Sequence, residues 1–325
     1  MLKRLMSAAL VGAVTLGHGN LMAEDYPNHP LTVVVPYAAG GGTDFIARTL
    51  APGLAQRLGQ PVVILNKPGA GTVTGASYVA KNVAPDGYTL LLATSTTMAI
   101  NASLYRSLSY DPVKNFKPVA LICTVPFALV VNPALPVHSV RDLVNLAKER
   151  PDGLTFASAG PGSPHHLFAE LLRSMTGIAM RHVPYKGSAP ALVDVVAGHV
   201  DLMFTDLPPA LSLIAEGKLR ALGLSSASRA HATPQIPPLA EAGVPGFDAS
   251  AWQMVVAPQD TPDDVLRRLH AELKHVLASP GQQKQFVDFG LIPLDSPAPD
   301  ELERFVSSEI ALWAKVVGQS GATVE

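Results

Sequence analysis

The 325-residue chain holds a single cysteine, Cys123, so no disulfide can form within it and stability has to come from packing. Cys123 lies in the apolar run Val119-Ala120-Leu121-Ile122-Cys123-Thr124-Val125, the setting of a small buried thiol and not of a nucleophile. Charge is scarce as well: 15% of residues are charged, 24 Lys and Arg against 26 Asp and Glu, for a formal net of −2. Without a basic surplus there is no field to draw nucleic acid or an anionic membrane. Long hydrophobic runs are missing too. The run from Leu5 to Leu16 falls short of the roughly 20 residues that span a bilayer, and no cysteine follows it to carry a lipid. The P-loop pattern is absent, and Gly69-Ala70-Gly71-Thr72-Val73-Thr74-Gly75 misses the dinucleotide fingerprint because its third glycine comes one residue late. That stretch reads as a turn entering a helix at close packing distance. Metal-ligand spacing is missing at His165-His166, since neighbouring helical side chains point about 100° apart.

What is present begins with a basic start, Met1-Leu2-Lys3-Arg4, the apolar run, and Leu21-Met22-Ala23 ahead of Glu24-Asp25. This order predicts a secretory signal peptide over residues 1–23, cleaved near Ala23. The remainder, 48% apolar overall, is long enough for two domains with separate cores. Short β-branched runs alternate with amphipathic segments, which predicts α/β units on mostly parallel sheets. The strands expected are Leu31–Pro36, Pro61–Asn66, Tyr88–Thr94, Lys117–Ile122, Ala128–Asn132, Leu154–Ala157, Arg181–Pro184, Asp201–Phe204, Arg220–Ser225 and Ala251–Ala257. After Trp252 the pattern turns helical, with Thr261–Leu277 and Pro299–Val317 expected to pack back on the first half. The predicted organisation is therefore a discontinuous first lobe, 24–125 plus 253–325, and a second lobe, 126–252, with a cleft between them.

Two stretches repeat one device: an apolar strand, a glycine-rich turn, and a helix opening on Ser, Thr or Asp. The first runs through Pro36-Tyr37-Ala38-Ala39-Gly40-Gly41-Gly42-Thr43-Asp44, the second through Ala157-Ser158-Ala159-Gly160-Pro161-Gly162-Ser163. Glycines admit a ligand close to the backbone, and the free N–H groups of a helix start favour an anion. The pair predicts two anion holes, for a ligand with two negative ends or one anion gripped from both sides. Ser163 before Pro164 matches an N-cap with proline at N1, whereas a nucleophile elbow would read G-x-S-x-G. His165 is placed to reach the cleft as a neutral donor. Asp44, in a first helical turn, complements the dipole. Asp206 ends a strand, where α/β sheets present groups to ligands; it reads either as a helix N-cap or as an acceptor for an ammonium or hydroxyl.

The loop Pro36 to Asp44, Asn66-Lys67-Pro68-Gly69-Ala70-Gly71, Pro85-Asp86-Gly87-Tyr88-Thr89-Leu90-Leu91, the turn Ala159 to Leu167, Val183-Pro184-Tyr185-Lys186-Gly187 and Gly217-Lys218-Leu219-Arg220-Ala221-Leu222 together resemble the Bug proteins. These are the TctC-like extracytoplasmic solute-binding components of tripartite tricarboxylate transporters. The resemblance implies a two-lobed periplasmic binding protein fold, type II-like, with the ligand cleft between the lobes and no catalysis or cofactor. It implies capture of a small mono- or dicarboxylate, amino and hydroxy acids included, for TctA/TctB-like membrane permease subunits. Ligand contacts are implied at Tyr37, Ala39, Gly40, Gly41 and Thr43, at Thr94, Ser95 and Thr96, at Ala159, Gly160 and Ser163, and at Tyr185 and Gly187. Asp206 matches a position that influences ligand type, and His165 joins these on its placement. Ala39 stands where proline is common in the family's loop. Two alternatives use the same residues: an exported α/β hydrolase or isomerase built on His165 with Asp44 or Asp206, and a sensing subunit whose partner is a signalling kinase.

Overall fold

The computed structural model describes residues 26–325 apart from Asp152, Lys186, Gly321 and Glu325; the leader expected over residues 1–23 lies outside the described residues. In chain order, β1 (Leu31–Val35) leads through the first glycine loop into α1 (Gly42–Leu58), followed by β2 (Val62–Asn66), α2 (Val73–Lys81), β3 (Thr89–Thr94), α3 (Asn101–Leu104) and β4 (Phe116–Val125). After Pro126 come β5 (Phe127–Val131), α4 (Val140–Glu149), β6 (Thr155–Ser158), α5 (Pro164–Thr176), β7 (Arg181–Pro184), α6 (Ser188–Ala197), β8 (Leu202–Asp206), α7 (Leu207–Ala215), β9 (Arg220–Leu224) and α8 (Leu239–Ala242). The chain ends with β10 (Ala251–Pro258), α9 (Asp263–Ala278), α10 (Pro280–Asp288), β11 (Ile292–Pro293) and α11 (Pro299–Ser320).

These strands form two sheets, one of six strands in the order β11-β4-β10-β3-β1-β2 and one of five in the order β7-β6-β8-β5-β9. β1 runs parallel to β2 and β3, while β10 is antiparallel to both β3 and β4. In the smaller sheet β6 runs parallel to β7 and β8, and β5 is antiparallel to β8 and β9. Helices cover both faces of parallel strands, so those strands are apolar along their length: Leu31, Val34 and Val35 in β1 and Leu90, Leu91 and Leu92 in β3 are wholly buried. Helices stop where the sequence punctuates them, with left-handed C-caps at Gly59, Gly177 and Gly198. The near-dinucleotide stretch becomes a 3₁₀ turn, Ala70–Thr72, opening into α2. Cys123 is fully buried in β4.

The short β11 has no signal in the sequence, because two residues cannot show a period. The C-terminal helices pack back as expected, with α9 against α1 and β4. One of them does more: α11 lies against α3 and β4 and also against α5, with Trp313 stacked on Phe168 at 5.7 Å. Its buried stripe of Leu302, Val306, Trp313, Val316 and Val317 is broad enough to touch both lobes. Both tryptophans, Trp252 at the start of β10 and Trp313, donate their indole N–H to the Glu309 carboxylate, at 2.7 and 3.2 Å.

Candidate functional site

The loop between β1 and α1 is fixed by one carboxylate. Asp44 Oδ2 accepts the Gly40 N–H and the Arg48 Nε–H, both at 2.8 Å, and Oδ1 accepts from Asn66 Nδ2 at 3.0 Å. The same Asn66 amide also donates to the Tyr37 carbonyl at 3.0 Å. The Arg48 hydrogen bond, outweighing the cost of burial, holds the Asp44 carboxyl down to about 2. With its oxygens so engaged, Asp44 ties Gly40 to the strand end of β2 and leaves the helix start open: the N-cap, Gly41, provides no side-chain cap. The N–H groups of the first turn are thus free to meet an anion.

Beside this loop stand hydroxyls from the end of β3. Thr94 and Thr96 lie near the Tyr37 hydroxyl, whose pKa burial raises. Thr97 donates to Thr72 Oγ1 at 3.0 Å, and Asn101 Nδ2 reaches the same atom at 3.2 Å. Those bonds hold Thr72 in the left-handed region, at φ 81°, where a β-branched residue is strained. Strain of that kind concentrates at ligand-binding walls.

Across the cleft the second glycine turn differs from expectation. Ser163 does cap α5, its Oγ accepting from the His166 N–H, with Pro164 at N1. Yet the turn's amides are spent internally: Gly160 N–H on Ser158 Oγ, Gly162 N–H on His166 Nδ1 at 3.1 Å, and Ser163 N–H on the Gly160 carbonyl. The physical reason is a richer supply of local acceptors: Ser158, His166 and the Gly160 carbonyl take three amides here, whereas Asp44 takes that of Gly40 in the first loop. His182 Nε2 meets Ser158 Oγ at 2.6 Å and stacks on His166 at 4.1 Å, so two rings brace the turn from behind. Burial, reinforced by the neighbouring His182 and Arg173, presses His166 down to about 4.

The open helix start in this lobe is that of α6, whose Gly187 the family resemblance implies as a ligand contact but which the reading of glycine turns did not pick out. Gly187, at φ 122°, is its N-cap and offers no side-chain cap. Ser188 follows, near enough to Asp206 at the end of β8 to help lower its pKa. Asp206 holds the N-cap position of α7, but its side chain makes no capping bond; its Oδ2 lies 3.2 Å from His165 Nε2. Burial opposes its charge, but the facing His165 wins and the pKa of Asp206 is lowered. The charge of Asp206 also reaches Tyr37 in the first loop and adds to the rise of its pKa. Tyr185, by contrast, turns its hydroxyl to Asp194 Oδ2 at 2.6 Å, within its own lobe. The available signal for α6 was Gly187-Ser188-Ala189-Pro190, a glycine followed by hydroxyl and proline at a helix start. No group of three or more His, Cys, Asp or Glu among the described residues is arranged to hold a metal.

Two α/β sheets joined by short crossings, with a helix start that carries no side-chain cap beside each of them, match the bilobed class of solute-binding proteins. A sequence profile of the tripartite tricarboxylate transporter family receptor, TctC, matches residues 46–322. The chain belongs to that family. It is 40% identical over 304 residues to the protein BugT of Bordetella pertussis, covering 93% of each chain. Its structure is similar to that of R. palustris Rpa4515, solved with adipate, at a TM-score of 0.84 and 39% identity, covering 92% of this chain and all of that one. It is likewise similar to MatC of Rhodopseudomonas palustris, solved with bound malate, at a TM-score of 0.79 and 34% identity, covering 90% and 100%. The family's members are solute-binding receptors, and no described helix here is long and apolar enough to cross a membrane.

Proposed function

We propose that this protein captures a small carboxylate in the periplasm, after loss of the leader at residues 1–23, and delivers it to the permease subunits of a tripartite tricarboxylate-type transporter. The observation that carries this reading is that each lobe has a helix start without a side-chain cap, α1 in one and α6 in the other, with the Asp206–His165 pair in the same lobe as α6. One carboxylate would rest on the N–H groups around Gly41 and Thr43, with Ala39, Gly40 and the Thr94–Thr96 hydroxyls beside it. The distal end of the ligand would meet Gly187, Ser188 and Asp206, with Ala159, Gly160 and Ser163 as the wall behind. Bodies 24–125 with 253–325 and 126–252 would close about the two crossings as the ligand bridges them. Binding is favoured over hydrolysis because Ser163 donates its hydroxyl to the Gly160 carbonyl at 2.7 Å, while His165 faces Asp206 instead of a nucleophile. No catalytic step is assigned.

An ionised Asp206 beside the ligand favours an amino or hydroxy acid over a bare dicarboxylate, since it needs a donor. A thermal-shift panel of adipate, malate, succinate, aspartate and glutamate tests the reading, a ligand at 100 times its Kd adding about 2.7 kcal/mol. The expected result is a shift of several degrees with one class and no turnover of the ligand. Asp206→Ala is expected to erase about tenfold of the preference for malate over succinate. An unchanged ranking in that variant removes Asp206 from the site.

A further inference from the structure

Nothing in the sequence pattern singles out Gln253. In the structure it lies on β10 directly across the ladder from Thr94 and is 5% exposed. Its Nε2 donates to Thr43 Oγ1 at 3.0 Å, and Thr43 sits in the first turn of α1, the helix whose start carries no side-chain cap. A threonine hydroxyl that accepts from an amide must direct its own proton elsewhere, and among the described residues that proton has no acceptor. Two further polar atoms in the same wall are buried without a hydrogen-bond partner: Gln253 Oε1 and Oγ of Ser95, the residue after Thr94. Folded proteins satisfy nearly all such atoms; the Thr43 proton, in the first turn of α1, is a donor that a bound anion would complete, and Gln253 Oε1 is an acceptor that a bound water or ligand hydroxyl would complete.

We propose that Gln253 is a positioning residue for the ligand. By holding Thr43 Oγ1 as an acceptor, it points the Thr43 hydroxyl proton at the carboxylate seated on the α1 N–H groups. The inference rests on the carboxylate-binding reading and adds the residue that sets the polarity of its anion hole. Removing the amide frees Thr43 to rotate and lose that donor, a hydrogen bond to a charged group that is among the stronger kinds.

The experiment is titration calorimetry of the full mature chain with adipate and malate, alongside the melting temperature without ligand. Gln253→Met is expected to weaken the tighter of the two about tenfold or more. Thr43→Val should weaken it similarly, and the double variant no further than either single one, because both remove one hydrogen bond. Gln253→Glu adds a pH profile that a purely structural role would not produce. Its ionised carboxylate takes the Thr43 proton and repels the ligand at pH 8, and affinity relative to wild type recovers as acidification makes the side chain a donor again. If Gln253→Met does not fold, the Glu variant carries the same test. Undiminished binding in the Gln253 variants, additive losses, or a flat profile for Gln253→Glu overturns the inference alone. Wild-type protein that binds neither of these acids, nor succinate, aspartate or glutamate, overturns the carboxylate reading and this inference with it.

Discussion

At Asp44 one carboxylate serves a loop amide, an arginine and an asparagine from another strand, and its effect on stability follows from its pKa. The folded value of about 2 lies below the 3.8 of the unfolded chain, so the contribution is complete above pH 3.8 and is lost as pH falls toward 2. The side chain is 4% exposed, and the shift corresponds to about 2 kcal/mol. Asp44→Ala is therefore expected to lower urea stability at pH 7 by about that amount and to weaken any ligand held by the Gly40 loop. His166 works over a different window. Its value falls from 6.5 unfolded to about 4 folded, so the unfolded chain takes the proton first; stability is intact above pH 6.5 and declines by about 3 kcal/mol as pH drops through 4. Melting curves between pH 7 and 4 should show a steep loss in wild type and a shallower one in His166→Gln, the remainder coming from His182, whose pKa burial also lowers. Adjacent histidines were legible as pointing apart. Which ring would meet Asp206 and which would brace Gly162 was not, because Asp206 and His182, the groups that sort the two rings, arrive from other strands.

Among the elements, the strands and helix stops were legible because each carries its own punctuation: ten β-branched runs became β1 to β10, and the Gly59, Gly177 and Gly198 stops sit where the sequence places them. The two glycine turns were legible as turns but not as holes. Openness depends on how many amides nearby groups fill: Ser158, His166 and the Gly160 carbonyl take three ahead of α5, while Asp44 takes that of Gly40 ahead of α1. The α5 start is instead a packing joint. Gly162 adopts φ 73°, and a Cβ there would overlap the Leu104 side chain of α3 in the other lobe. Gly162→Ala is thus expected to destabilise more than Ser163→Ala, whose lost cap costs about 1 kcal/mol, and Leu104→Ala should recover only the steric part of the difference. Urea midpoints of the three variants and the double variant check this. Gln253 was illegible for a plain reason: the strand that carries it follows Thr43 by 210 residues, and no local period reports such a meeting.

For the molecule as a whole, closure is constrained from the back by α11, which stacks Trp313 on Phe168 of α5 and holds Trp252 through Glu309. Any rotation of the smaller lobe must shift Phe168 against that indole. Ligand binding is expected to change the intrinsic emission, and Trp313→Phe should abolish most of the change while leaving the calorimetric affinity within a few fold. An unaltered signal in that variant would place the moving contact at Trp252. The entry and exit of the smaller lobe are also neighbours: Val125, last in β4, pairs with Ala251, first in β10. That adjacency fixes an order of assembly. β10 is the strand between β3 and β4, so the larger sheet remains in two pieces until residues 251–258 have emerged, whereas every strand of the smaller sheet is present by residue 224. A chain released from its N-terminal end thus completes the inserted lobe first and seals its own framework last.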